Sequence, residues 1–214
     1  MNKNEKFVIT INRELGSGGR TVGEKLAAKL GVPFYDKAVI KSLEEKYHLT
    51  VEEIETLKGR KQNWWADFKR VVGIGEGIVN RSKYYQVAMG EEPELLTTDE
   101  VFKAEKEIVN EIADEESSVI AGRTAFFILR NIPNRLSILI QAPMAQRIER
   151  VMRKQGLSRE DAEKAIKKVD KMRENYVNKY TGTSRYDTRN YDLVISMEGK
   201  TEDEVVDLIL KYIG

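Results

Sequence analysis

Between Ile9 and Leu30 a β-branched run gives way to glycines and then to a helical repeat, and no other stretch restricts the fold as much. Phe7–Ile11 (FVITI) reads as a short buried strand. Gly16, Gly18 and Gly19 follow it, and Val22, Leu26 and Leu30 recur at four-residue spacing, as on one side of a helix over Thr21–Leu30. Strand, glycine loop and helix in this order let backbone N–H groups converge on an anion, which the helix N-terminus meets with its partial positive charge. Gly16, Ser17, Gly18, Gly19, Arg20 and Thr21 are therefore the candidate phosphate-binding residues. Their spacing departs from G-x-x-x-x-G-K-[ST]. With Gly19-Arg20-Thr21 in the place of Gly-Lys-Thr the first glycine falls on Glu14, and in a G-x-G-K-G-T register the lysine falls on Gly19. Arg20 is the candidate replacement cation, a planar fork where lysine is a point charge. The competing reading is a tight turn that needs glycine for backbone reasons alone.

The α/β alternation continues beyond Gly31. Val32–Tyr35 reads as a second strand, and Asp36 either caps a helix from Lys37 to about Tyr47 or contacts a nucleoside. Residues 49–93 are less regular and read as an insertion. Trp64, Trp65, Phe68, Tyr84 and Tyr85 there fit the packing of a helical hairpin better than base stacking, and Gly73, Gly75 and Gly77 follow no strand, so they do not make a dinucleotide site. Helices are expected over Asp99–Asp114, Thr124–Leu129, Met144–Lys154 and Thr201–Ile213, with strands at Ser118–Ala121, Arg135–Gln141 and Tyr191–Ser196. Ser158, with Asp161 three residues on, starts a further helix whose core side is expected to be Ala162, Ala165, Val169, Met172 and Tyr176. Five apolar strands separated by helices predict an α/β fold with a five-stranded parallel sheet covered on both faces.

Composition narrows the chemistry. The 214 residues contain no Cys and a single His, so thiolate metal sites, Cys nucleophiles and His-based triads are excluded, and His48 reads as a solvated side chain in a charged helix. Formal net charge is +1, which argues against nucleic acid as a partner. The apolar runs are too short to span a bilayer and no signal peptide precedes them, so no membrane and a cytoplasmic location are expected. The charge is nonetheless uneven. Residues 91–116 hold 11 acidic and two basic residues, whereas residues 145–189 hold 13 basic and seven acidic ones. Arg147, Arg150 and Arg153 form one row along a helix, and with Arg173 on the next helix they read as candidate lid cations over transferring phosphates; the competing reading is a solvated charged face. Arg123, leaving a strand at its carboxyl end in Gly122-Arg123-Thr124, is a candidate for a substrate phosphate.

With these residues in place the chain resembles the cytidylate kinase-like family, a branch of the P-loop nucleoside monophosphate kinases. The resemblance rests on ITINRELGSGGRTVGEKLAAKLGVPFYDKAVI, on VIAGRTAFFIL, and on APMAQRIERVMRKQGLSREDAEKAIKKVDKMRENYVNKYTG with YDLVIS. It implies a single P-loop kinase-like domain over residues 1–214, with residues 49–93 as a helical insertion on the acceptor side and residues 155–189 as the lid region. It also implies ATP as phosphoryl donor with Mg²⁺ at Thr21, a small nucleotide such as CMP as acceptor, and a monomer or homodimer. Asp36 and Arg123 would meet the acceptor, and Arg20, Arg147, Arg150 and Arg173 the transferring phosphates. Gly19 stands where the family has a lysine, and Thr124 where cytidylate kinases have aspartate. A nucleotide- or phosphate-binding regulatory module that has lost the reaction is therefore the alternative.

Overall fold

A computed structural model of the chain describes residues 1–36, 99–122 and 124–214. The expected helix over Lys37–Tyr47, His48, the insertion at 49–93 with its aromatic and glycine clusters, and Arg123 lie outside the described residues. The chain divides into two compact units, residues 1–37 with 109–214 and residues 38–108.

In the first unit, strand β1 (Val8–Arg13) is followed by helix α1 (Gly19–Leu30) and strand β2 (Phe34–Tyr35). Helix α2 (Asp99–Glu115) begins within the second unit's sequence and leads to β3 (Ser118–Ala121). Then come α3 (Ala125–Ile128), β4 (Arg135–Gln141), α4 (Met144–Gln155), α5 (Arg159–Thr181), a 3₁₀ turn at Thr188–Asn190, β5 (Leu193–Ser196) and α6 (Glu202–Ile213). The strands form one parallel sheet in the order β2-β3-β1-β4-β5. β1 is central, and the chain crosses from it to β3 on one side and β4 on the other. In such sheets ligands sit at the carboxyl edge where the order reverses.

Ile9 and Ile11 of β1, Ile138 and Ile140 of β4, Val22 and Leu26 of α1, and Val205, Val206 and Ile209 of α6 build one core layer. The alternate strand residues Val8, Ile120 and Leu139 are equally buried, so the sheet is covered on both faces, as its near-continuous apolar strands require. Each such side chain contributes about 1.5–3 kcal/mol.

The expected elements recur with shifted ends. β1 runs two residues further than FVITI suggests, because Asn12 and Arg13 pair with Leu139 and Ile140. β5 starts at Leu193, since the 3₁₀ turn closes with Tyr191 donating its N–H to Thr188. Ser158 and Thr201 cap their helices, accepting from the backbones of Asp161 and Glu204. The core side of α5 differs from the expected stripe. Ala162, Ala165, Ile166 and Val177 are buried, and Met172 is exposed at 43%. A stripe read at strict spacing drifts around a 23-residue helix, and Asp170 takes part of the inner face.

Candidate functional site

β1 leaves the sheet at Arg13, and residues 14–18 fold into a tight loop. The Glu14 carbonyl accepts from the Ser17 N–H at 3.3 Å and from its hydroxyl at 3.0 Å, and Ser17 Oγ accepts the Gly19 N–H at 3.3 Å. Buried Ser17 thus folds the loop back on itself. Gly16 and Gly18 have φ of 81° and 88°, the left-handed region that favours glycine. A Cβ on Gly16 would also stand 2.7 Å from the Arg147 carbonyl, so α4 approaches where a side chain has no room. Gly18 caps α1, which starts with no side-chain cap and no acidic residue in its first turn. The N–H groups of Leu15, Ser17 and Gly19 find acceptors. Among the described residues those of Gly16 and Gly18 find none. Unfilled donors at an uncapped helix N-terminus suit an anion.

Arg20, one residue into α1, points across the helix toward the end of β2. Its Nε donates to Asp36 Oδ2 at 2.6 Å, and its Nη1 is 2.8 Å from Glu24 Oε1. Asp36 is 5% exposed, and the guanidinium balances a carboxylate that burial would otherwise penalise. Thr21 is half-buried in the first turn. Its hydroxyl fits one ligand position of Mg²⁺, whose others would come from phosphate oxygens and water. Among the described residues no group of three or more His, Asp or Glu forms a metal cluster.

The arginines on α4 and α5 occupy three different places. Arg147 is 4% exposed. Its Nε donates to the Leu15 carbonyl at 2.8 Å, its Nη1 is 3.4 Å from Glu14 Oε1, and its Nη2 bonds Asp170. It locks the loop to α4 and α5. The Arg150 guanidinium lies against Gly18, 3.2 Å from where a Cβ would stand, and pairs with Glu202. Burial opposes the charged form of Glu202. The Arg150 hydrogen bond, a backbone N–H and the charges of Arg150 and Lys25 outweigh it and hold the carboxyl below its ordinary range. Arg173 Nη1 donates to the Arg13 carbonyl at 3.2 Å and is 3.8 Å from Asp170 Oδ1. Arg153 is exposed.

On either side of Arg123, Gly122 donates its N–H to Ile11 at 3.0 Å and lies against the Arg13 guanidinium. Thr124 has φ 52°, the one positive φ outside glycine among the described residues. Holding a threonine there costs about 1–3 kcal/mol.

Two residues of this region escaped the sequence reading. Asp170 accepts the Leu15 N–H at 3.1 Å and joins Arg147, Arg173 and Arg185. It stands in a run of charges that looks solvated, although four-residue spacing from Ala162 and Ile166 places it on the buried stripe. Arg185 is 1% exposed, in an aperiodic segment after Gly182 that offers no pattern to read. Its Nη2 donates to the Arg13 carbonyl at 2.5 Å and to Asn12 Oδ1 at 3.2 Å.

The sequence model of the cytidylate kinase-like family matches residues 8–199. A cytidylate kinase of Pyrococcus horikoshii is 27% identical over 209 residues, 97% of this chain and 88% of that protein. A uronate isomerase of Corynebacterium glutamicum is 31% identical over 106 residues, and the matched part spans only 20% of that protein. Among solved structures, an uncharacterized protein of Eubacterium ventriosum is similar over 97% of this chain and 98% of its own, with TM-score 0.64 and 29% identity. The shikimate kinase of Acinetobacter baumannii matches over 99% of this chain and 94% of its own, with TM-score 0.52 and 15% identity. The last likeness concerns the fold, which is that of the P-loop kinases. Among the described residues no helix is long and apolar enough to cross a membrane.

Proposed function

The chain belongs to the cytidylate kinase-like family, and from that premise we propose that it transfers the γ-phosphoryl group of ATP to a small phosphorylated acceptor, a nucleoside monophosphate such as CMP. The observation that carries this reading is the loop of Gly16–Thr21, with two left-handed glycines, unfilled N–H groups and an uncapped helix start. In the transfer a phosphate oxygen of the acceptor forms a bond to Pγ as the bond from Pγ to the bridging oxygen of ADP breaks. Little covalent chemistry is left to the protein, so catalysis is positioning and neutralisation of charge. Mg²⁺, when bound at Thr21, supplies charge neutralisation on the phosphates. The Gly16 and Gly18 N–H groups hold the donor, with Ser17 and Gly19 shaping the loop. Arg150 against Gly18 and Arg20 beside the loop bring cations to it, and Arg147 and Arg173 fix α4 and α5 over it. Asp36 meets the acceptor and residues 155–189 serve as the lid, while Arg123 and the insertion at 49–93, which the family resemblance assigns to the acceptor, lie outside the described residues. The enzyme works as a monomer or homodimer in the cytoplasm, with neither nucleic acid nor membrane as a partner.

A second reading, a nucleotide-binding regulatory module without turnover, is favoured by one observation. Gly19 stands in the lysine position while both Asp36 and Glu24 hold Arg20.

A thermal-shift screen of nucleoside mono- and triphosphates, with and without Mg²⁺, tests the nucleotide site, because a ligand that binds only the native state stabilises it by about 2.7 kcal/mol at a hundred times its Kd. ATP with Mg²⁺ is expected to raise the midpoint, and CMP to raise it further. No shift with any triphosphate overturns both readings. For Arg20→Ala the expected loss of ATP affinity is about 1–3 kcal/mol, the scale of charge-assisted hydrogen bonds; unchanged affinity assigns the loop cation to Arg150.

A further inference from the structure

Among the described residues Arg185 is the largest of the fully buried side chains, and only part of its hydrogen-bonding capacity is used. Nη2 reaches the Arg13 carbonyl and Asn12, but Nε and Nη1 have no hydrogen-bond partner. Asp170 Oδ1 is the nearest carboxylate oxygen, 3.9 Å from Nη1, too far for a hydrogen bond. That carboxylate is also shared with Arg147, Arg173 and the Leu15 N–H. Tyr191, whose hydroxyl donates to the Arg185 carbonyl at 2.6 Å, adds no negative charge, because burial pushes its phenol up to about 12. Burial and the charge of Arg173 pull the Arg185 guanidinium below its ordinary range. A buried cation with two empty donors is costly unless something completes it. The group sits at the carboxyl end of the central strand, on the carbonyl of the residue that leads into the glycine loop. Arg173 donates to the same carbonyl.

We infer that Arg185, with Arg173 beside it, receives a phosphoryl group of the bound nucleotide, forming an anion subsite between the carboxyl end of β1 and the segment after α5. The inference rests on the reading of Gly16–Thr21 as a phosphate loop. A phosphoryl oxygen supplies the acceptors that Nε and Nη1 lack, and a guanidinium fork matches its geometry. Being already buried and tied to Arg13, the fork loses little conformational freedom when the anion arrives.

The test uses the full chain and inorganic pyrophosphate as probe, with affinity measured by calorimetry. Arg185→Met keeps the volume and removes the charge. The expected result is a pyrophosphate Kd at least tenfold weaker, with a thermal midpoint in the absence of pyrophosphate equal to or above the parent's. A Kd within twofold of the parent's, with a lowered midpoint, overturns the inference and makes Arg185 an internal brace. If Arg185→Met does not fold, the parent protein decides. The slowly exchanging Arg185 Nε–H resonance, assigned by its loss in Arg185→Lys, shifts on adding pyrophosphate if the subsite exists and stays in place if it does not. Tenfold weakening without acceptor-dependent ADP formation in the parent removes the kinase reading and keeps the subsite. Full turnover with an unmoved Arg185 does the reverse.

Discussion

Three guanidinium groups, those of Arg147, Arg173 and Arg185, share the single carboxylate of Asp170. Removing one cation leaves the carboxylate two others, but removing the carboxylate leaves Arg147 to Glu14 alone and takes from buried Arg185 its nearest carboxylate. Asp170→Asn is expected to cost about 3–5 kcal/mol, the range for breaking a buried ion pair from one side. Urea denaturation checks this as a fall in midpoint at an unchanged m-value; a loss within about 0.5 kcal/mol, the size of an ordinary surface substitution, would show the cluster to be solvated. Glu202 makes a pH prediction. Its carboxyl is held below the ordinary range chiefly by Arg150, against the opposing effect of burial. A depressed folded-state value means that the stabilisation is present above the unfolded value, about 4.3, and disappears as pH falls through the folded one. The thermal midpoint of Glu202→Gln should accordingly lie below the parent's at pH 7 and converge with it under acid conditions. A gap that persists at pH 2 would assign the difference to packing.

Elements were legible where period and capping chemistry agree. Ser118–Ala121 and Arg135–Gln141 are the strands their apolar runs predict, and Thr201 forms a full capping box with Glu204. Replacing Thr201 by Ala should lower stability by about 1 kcal/mol and leave nucleotide affinity unchanged, which makes it a control for the loop variants. The glycine loop was legible as a backbone device. What no local pattern carries is the direction of a long side chain: Arg20 reads equally well toward a phosphate or toward Asp36, and only the position of β2 decides which partner lies within reach. Arg147 looks like any helix charge until its carbonyl is found against Gly16. Gly16→Ala forces both the φ of 81° and the 2.7 Å approach to that carbonyl. A stability loss above about 1 kcal/mol is expected, together with weakened ATP binding. Retention of both would mean that the loop reshapes without consequence.

At the scale of the whole molecule the five-stranded order places β1 between β3 and β4, so the glycine loop, Gly122 and the arginines of α4 and α5 converge on one edge of the sheet. That edge was foreseeable from alternating strands and helices. The ion pairs at it were not, since Arg185 and Asp170 come together with the Arg13 carbonyl only through long-range closure of the chain. In the proposed function this edge performs phosphoryl transfer in addition to holding a nucleotide. Groups that stabilise charge spread in the transition state affect kcat, whereas groups that hold donor and transition state equally affect KM alone. The most direct measurement is ADP formation from ATP and Mg²⁺ with CMP, UMP, AMP or GMP as acceptor, in the parent and in Arg150→Ala. The expected result is ADP release that depends on a monophosphate, strongest with CMP, and a kcat that falls more than KM rises when Arg150 is lost. Tight ATP binding with no acceptor-dependent ADP from any of the four would contradict it.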